Sequence, residues 1–293
     1  MTEKCTLCPR RCGADRVNTL GFCRAPREIR IARVALHKWE EPPISGDAGS
    51  GTVFFCGCNL RCVYCQNGAI SRMENAGRAA RDDELEEIML RLVREGAHNI
   101  NLVTPTHYAD ALVRVLPRVR EKTDVPIIYN CGGYESVETL RSLCGLIDIY
   151  MPDFKYFSPE ISWKYSSARD YADVAKKALA EMYRQTGRAT VVDGLMKKGV
   201  LCRHLVLPSC RRDSAEVLRT IAETVPAEDI LISVMRQYTP DFAPAEMKEL
   251  RRRITSFEYD FVCAEAEKYG FDGFFQDKTS AKSDYTPDFN EKF

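Results

Sequence analysis

Six short, almost wholly apolar runs punctuate this chain, and helical patterns fill the gaps between them. That alternation limits the folds open to it more than any other feature. The runs are Thr52-Val53-Phe54-Phe55, Ile100 to Val103, Ile127 to Tyr129, Ile147 to Met151, His204 to Leu207 and Ile230 to Val234. Between the first two, residues 82–95 place Leu85, Ile88, Met89, Leu92 and Val93 at helical spacing, with Gly96 as a stop. Further helices are predicted near 108–121, 136–144, 167–186, 214–224 and 244–269, and Pro117 should kink or end the first of these. Strands with no polar face need cover on both sides, so the pattern predicts an α/β fold in which helices wrap a parallel sheet. Six strand–helix units fall short of a closed eight-fold ring. They suit an open or partial (β/α)6 barrel, TIM-like in its winding, with chemistry gathered at the C-terminal ends of the strands.

The cysteines are the second constraint. There are thirteen in 293 residues, and seven of the eight before residue 66 fall into two groups: Cys5, Cys8, Cys12 and Cys23, then Cys58, Cys62 and Cys65. The N-terminus carries no apolar core of a signal peptide, and no apolar stretch is long enough to span a membrane, so the chain is expected in the cytoplasm, where thiols stay reduced. Clustered cysteines there read as metal or cluster ligands rather than disulfides. Cys56, at a strand end, and the scattered Cys131, Cys144, Cys202, Cys210 and Cys263 read as small buried hydrophobes, although Cys131 could also face the site. Lys plus Arg and Asp plus Glu both number 42, which argues against a nucleic-acid partner. Composition divides the chain into a Cys-rich metal-binding segment (1–30), a barrel (31–276) entered through a linking stretch around Trp39 and Pro42-Pro43, and a polar C-terminal tail (277–293).

Cys58-x3-Cys62-x2-Cys65 follows the first strand directly. Three thiolates on a loop can hold three irons of a cubane, leaving the fourth open to a ligand, whereas structural zinc closes four ligands around one ion. Cys5-x2-Cys8-x3-Cys12 followed by Cys23 supplies four thiolates in a segment with little core, where bound metal would become folding energy. Zinc and an auxiliary iron–sulfur cluster both fit that second group.

The loop Phe55-Cys56-Gly57-Cys58-Asn59-Leu60-Arg61-Cys62-Val63-Tyr64-Cys65 closely resembles the signature of the radical S-adenosylmethionine (SAM) superfamily. The resemblance implies a 4Fe-4S cluster on Cys58, Cys62 and Cys65 whose open iron is chelated by SAM. Reductive cleavage then yields a 5′-deoxyadenosyl radical that abstracts a hydrogen atom. It also implies a reducing partner such as flavodoxin or ferredoxin, and approach of the Tyr64 backbone to the adenine. From about Thr52 to Tyr238 the chain is similar to relatives of the pyruvate formate-lyase-activating enzymes, which implies a glycyl radical enzyme as protein substrate. Their Gly-Gly-Glu turn is replaced here by Val103-Thr104-Pro105-Thr106-His107, so carbonyls and the hydroxyls of Thr104 and Thr106 are expected to substitute. Asn130 matches the Asp of their Asp-Thr-Asn-Gly turn, and Asp153-Phe154-Lys155 matches their Asp-x-Lys motif beside the SAM carboxylate. Arg203 matches an SAM-binding arginine. Met235 to Tyr238 either line the mouth or form an ordinary polar loop, and His107 follows the second strand as a hydrogen-bonding residue.

Two other functions stay open: radical modification of a small molecule, peptide or RNA, and a non-catalytic iron–sulfur protein for electron transfer or redox sensing. The second has no use for an open iron beside Asp153 and Lys155.

Overall fold

All six apolar runs contribute to strands, and four more strands join them. The computed structural model describes residues 4–73, 76–276 and 289. In chain order the strands are β1 (Ile29–His37), β2 (Ser50–Phe55), β3 (Arg78–Ala80), β4 (Ile100–Val103), β5 (Ile127–Cys131), β6 (Ile149–Pro152), β7 (Thr190–Val192), β8 (Leu195–Leu205), β9 (Leu231–Met235) and β10 (Asp272–Phe275). They form one sheet in the order β10-β9-β8-β6-β5-β4-β2-β1-β3, with β7 attached to β8. Every neighbouring pair from β2 to β10 is parallel; only β1, β3 and β7 pair antiparallel. The result is a mixed α/β fold of alternating strand–helix units on a mostly parallel sheet.

Side-chain alternation along the strands separates the apolar cores, and two of the three lie on opposite faces of the central strands. Val53, Leu102, Tyr129, Tyr150, Cys202 and Ile232 join the large core beneath the helices, whereas Ile128, Ile149, Met151, Leu201 and Leu231 form a smaller one on the opposite face with Ile44. The helix Asp82–Arg94 buries Leu85, Met89 and Leu92 completely, each burial contributing roughly 1.5–3 kcal/mol. Its first turn carries Asp82, Asp83 and Glu84 and its last turn Arg91 and Arg94, the charge order the helix dipole favours. The helix Ala109–Arg120 continues through Pro117. The proline lies near the C-terminal end, and its carbonyl still accepts the Glu121 N–H at 3.2 Å.

Several expectations are corrected. The linking stretch after residue 30 is largely β1, a strand that crosses that position and pairs with β2 from Ile31↔Phe55 to His37↔Ser50. The run His204–Leu207 is the end of a longer strand, which starts at Leu195 and stops at Leu205. The helix expected over 167–186 begins at Tyr171, after a separate helix Pro159–Ser166 whose N-terminus is capped by Ser158. The one expected over 244–269 is confined to Ser256–Lys268, where Thr255 and Glu258 form a reciprocal capping box. A seventh parallel strand, β10, lies beyond it. Of the C-terminal tail only Phe289 is among the described residues; its ring meets Phe54 edge-on at 5.6 Å. Among the described residues no helix is long and apolar enough to cross a membrane.

Candidate active site

The period-2 alternation that puts Ile128, Ile149 and Leu201 in the smaller core also places Asn130, Asp153 and Arg203 on the same face, nearer the C-terminal ends of β5, β6 and β8. There they converge. Arg203 donates from Nε to Asp153 Oδ1 at 2.9 Å, from Nη1 to Glu40 Oε2 at 3.1 Å and from Nη2 to Asn130 Oδ1 at 2.7 Å. Lys155 Nζ donates to Asp153 Oδ2 at 2.5 Å, and Asn101 Nδ2 donates to Glu40 Oε1 at 3.2 Å. Burial alone would raise the Asp153 carboxyl, but Arg203 and Lys155 together hold it below the usual carboxylate range. Burial would likewise lower Arg203 and Lys155, and the carboxylates, Asp153 first, overcome it and keep both charged.

Cys58, Cys62 and Cys65 lie across from this network and line the same cavity of about 220 Å³ as Tyr64, Thr104, Asn130, Asp153, Lys155 and Arg203. Their loop is pinned from several directions. Asn59 Nδ2 donates to Tyr134 O at 2.6 Å, the Val63 N–H to Tyr165 O at 2.9 Å, and Arg72 Nη2 to Val63 O at 3.0 Å. Gly57 has φ of 91°, and a Cβ there would lie 2.8 Å from Cys23 O, so glycine lets the N-terminal segment seat against the loop. Burial, then the neighbouring Cys62 and Cys65, push the Cys58 thiol up to about 12, and burial and Cys62 raise Cys65. Cys58 and Cys65 are therefore costly as bare thiolates, and soft cations such as iron relieve that cost. Among the described residues no three Cys, His, Asp or Glu side chains close around a single metal position. A cubane asks for something else, one thiolate on each of three separate irons, and the donor set fits it. Lys155 has one carboxylate partner among the described residues and three N–H donors, so it also fits the carboxylate of a ligand such as SAM.

Tyr64 faces the cavity, and its hydroxyl shares a 2.6 Å hydrogen bond with Tyr156. Tyr156 meets Ser166 Oγ at 2.7 Å, and Ser166 in turn donates to Cys62 Sγ at 3.0 Å. Thr104, after β4, holds φ of 58°, a conformation costly for a β-branched residue, with its N–H donating to Asn130 O at 2.8 Å. Thr106 is not brought to this cavity: it is fully buried, and its hydroxyl donates to Glu135 Oε1 at 2.8 Å. His107 shares a 2.7 Å hydrogen bond with Cys56 O, and burial lowers its pKa to about 3, so it is a neutral brace. Cys131 is among the residues lining the cavity, and its thiol hydrogen-bonds to Glu135. Met235, Gln237 and Tyr238 line the cavity, whereas Arg236 reaches Ser256. Sequence reasoning missed Glu40, whose only signal was a charge in a proline-flanked link.

The N-terminal cysteines lie near one another and near this loop. Cys8 is raised to about 12 by burial and by Cys23, Glu135 and Cys5, and Cys23 is raised by burial and by Cys5 and Cys12. A Cβ on Gly21 would lie 2.4 Å from Cys12 Sγ. The Cys58 N–H reaches Cys23 O at 3.4 Å, and Arg10 donates to Asn59 O at 3.0 Å and to Ser166 O at 2.9 Å.

Residues 52–198, half of the chain, match the Radical SAM superfamily. The chain belongs to that superfamily. It is a radical SAM enzyme, and membership implies the 4Fe-4S cluster and SAM that its thiol triad and charged cavity fit. An uncharacterized protein of Methanocaldococcus jannaschii, MJ0674, is 29% identical over 279 residues, covering 92% of this chain and 76% of the relative. The fold is similar to the crystal structure of methylornithine synthase (PylB), with a TM-score of 0.50 and 17% identity over 72% of this chain; the match spans 60% of that neighbour. The mostly parallel sheet is consistent with a partial radical SAM barrel.

Proposed function

We propose that this enzyme binds SAM between the Cys58–Cys65 loop and the Arg203 network, and takes a hydrogen atom from a substrate entering past Met235 and Tyr238. The observation that carries this reading is the convergence of three cluster-type thiols and a buried Asp–Lys–Arg–Glu network on one cavity. When bound, the cluster and SAM supply a 5′-deoxyadenosyl radical. The chain's own residues do the rest. Lys155 receives the ligand carboxylate, and Asp153 holds Lys155 in place. Arg203 locks Asp153, Asn130 and Glu40 into one arrangement. Tyr64 and Tyr238, buried side by side with ring centroids 6.0 Å apart, wall off water.

The sheet reads as a partial (β/α)6 radical SAM barrel carrying a β10 extension and a Cys-rich N-terminal segment. Cys5, Cys8, Cys12 and Cys23 are the proposed ligands of a second metal centre, zinc or an iron–sulfur cluster; zinc would require the four thiols to draw further together around one position. A flavodoxin or ferredoxin is the reducing partner. A glycyl radical enzyme is the substrate most in keeping with Asp153-x-Lys155 and Asn130, the residues that resemble the activating enzymes; a small molecule, a peptide or RNA is the other class.

Anaerobic reconstitution, reduction and addition of SAM, followed by chromatography for 5′-deoxyadenosine, tests the central reading. SAM-dependent product that is absent from Cys62→Ala is expected. An intact cluster that binds SAM without cleaving it, with or without a supplied glycyl radical enzyme, would sink it.

A further inference from the structure

The charged cavity has a side extension of about 110 Å³, reached past Glu40, Arg203 and Met235 and lined in addition by Glu41, Ser233 and Phe274. Glu41 lies at the N-terminal boundary of the short helix Pro42–Ser45, where its carbonyl accepts the N–H groups of Ile44 at 2.8 Å and Ser45 at 3.1 Å. Two prolines follow it, so its backbone has little freedom. Beyond the pull of Arg203, its carboxylate is favoured only by its own N–H and by the Ser233 hydroxyl. Glu41 is only 8% exposed, and its Oε2 has no hydrogen-bond partner. Ser233 is fully buried on β9, and its Oγ also lacks a partner of ordinary geometry, although it lies close enough to favour the Glu41 carboxylate.

A carboxylate oxygen without a partner, beside a serine hydroxyl that only weakly reaches it, is costly in an empty hollow and useful in a liganded one. The neighbouring cations cannot settle the debt. Arg203 commits its three nitrogens to Asp153, Glu40 and Asn130, and Lys155 is held by Asp153. Among the carboxylates and cations lining the two cavities, Glu40, Glu41 and Asp153 face only Lys155 and Arg203. Burial lowers His37, the remaining titratable base of the lining, toward its neutral form. Burial raises the Glu40 and Glu41 carboxyls against the pull of Arg203, so an ionised Glu41 calls for a further cation in the hollow.

We propose that Glu41 and Ser233 form a substrate subsite that receives an alkylammonium group. The subsite deepens the radical SAM reading and rests on it. A compact ammonium suits one free carboxylate oxygen beside one hydroxyl, whereas a guanidinium asks for two coplanar carboxylate oxygens. Phe274 and Met235 supply apolar walls for the methylenes behind the charge. An ammonium held here stands beside the Arg203 network, at the same strand ends that face the thiol loop.

The test uses the anaerobic, cluster-reconstituted enzyme with SAM bound. Saturation-transfer NMR titrations compare n-butylammonium with butan-1-ol, a neutral probe of nearly equal size. Saturable binding of the ammonium alone is expected, at least tenfold weaker in Glu41→Gln. Glu41→Asp, which keeps the charge, should lose only a few-fold, and it carries the test with Ser233→Ala if Glu41→Gln does not fold. The EPR response of the reduced cluster to SAM should match wild type in every variant. Equal affinity for both probes, or unchanged ammonium binding in Glu41→Gln, overturns the subsite. A lost SAM response with unchanged ammonium binding overturns it too and assigns Glu41 to the SAM sulfonium. A wild-type enzyme with no SAM response defeats the radical SAM reading instead, and the same titration on the SAM-free protein then decides the subsite.

Discussion

Cys58-x3-Cys62-x2-Cys65 and Cys5-x2-Cys8-x3-Cys12 use the same two spacings in opposite order, and the fold treats them differently. The later group hangs from the C-terminal end of β2, a buried parallel strand, so it shares a cavity with Asp153, Lys155 and Arg203 at the ends of the neighbouring strands. The N-terminal group, Cys23 included, lies on a segment without helix or strand. That segment is held by loop hydrogen bonds: Asp15 Oδ1 accepts three backbone N–H groups, and Arg16 donates to Ala25 O at 3.3 Å and Pro26 O at 2.7 Å. Spacing alone supplies ligands. Attachment to the end of a sheet strand supplies charged neighbours and a cavity, and with them the possibility of chemistry.

The largest expected effect comes from breaking the symmetry between the groups. Cys62→Ala should abolish SAM cleavage, a loss beyond about 10³-fold if cleavage needs the intact cluster, while elemental analysis still finds the metal proposed for the N-terminal cysteines. Equal metal loss from both groups would show one shared centre instead of two. Asp153→Asn should come next. Removing one partner of a buried ion pair costs about 3–5 kcal/mol, so urea unfolding of the barrel should move by that order while the N-terminal metal content stays constant. Unchanged stability would mean that Lys155 and Arg203 find other partners.

Arg10→Ala probes the contact between the two regions. Its guanidinium bridges Asn59, Ser166 and Ser167 carbonyls and stacks 4.0 Å over the Phe22 ring. Hydrogen bonds to a charged group contribute roughly 1.5–3 kcal/mol. Faster hydrogen exchange over residues 5–25, by a factor of ten or more, is expected, with little change in the sheet strands. Ser166→Ala is the subtlest. Its hydroxyl donates to Cys62 Sγ, and such bonds stabilise the more negative reduced cluster. Loss of about 1 kcal/mol lowers the midpoint potential by tens of millivolts, measurable by EPR-monitored redox titration. No shift would assign Ser166 to the Tyr156 network alone.

Much of this was legible in residues. Periodicity located the six parallel strands and most of the intervening helices because burial on both faces removes polar residues locally. The strand β1 was also written in Ile29, Ile31 and Val34, but the bulge between Ile31 and Arg33 breaks the alternation that marks a strand. Arg203, Asp153, Lys155 and Asn130 were picked out by resemblance, and their meeting point became visible only in three dimensions. Glu40 and Glu41 carried no such mark. Two carboxylates before two prolines look like solvated linker, and only their burial against β8 and β9 makes them matter. Thr106 shows the reverse: it occupies the expected turn, but its side chain faces Glu135.

By itself the sequence determined what is local: the strand and helix periods, the three-thiol spacing after the first parallel strand, and the cysteine-rich N-terminus. Tertiary structure decided what depends on closure over distance. Arg203 meets Glu40 across 163 residues of chain, and no local pattern records that contact. Side-chain period is set by neighbouring backbone geometry, whereas the partner of a buried charge is set by how the strands are ordered in the sheet.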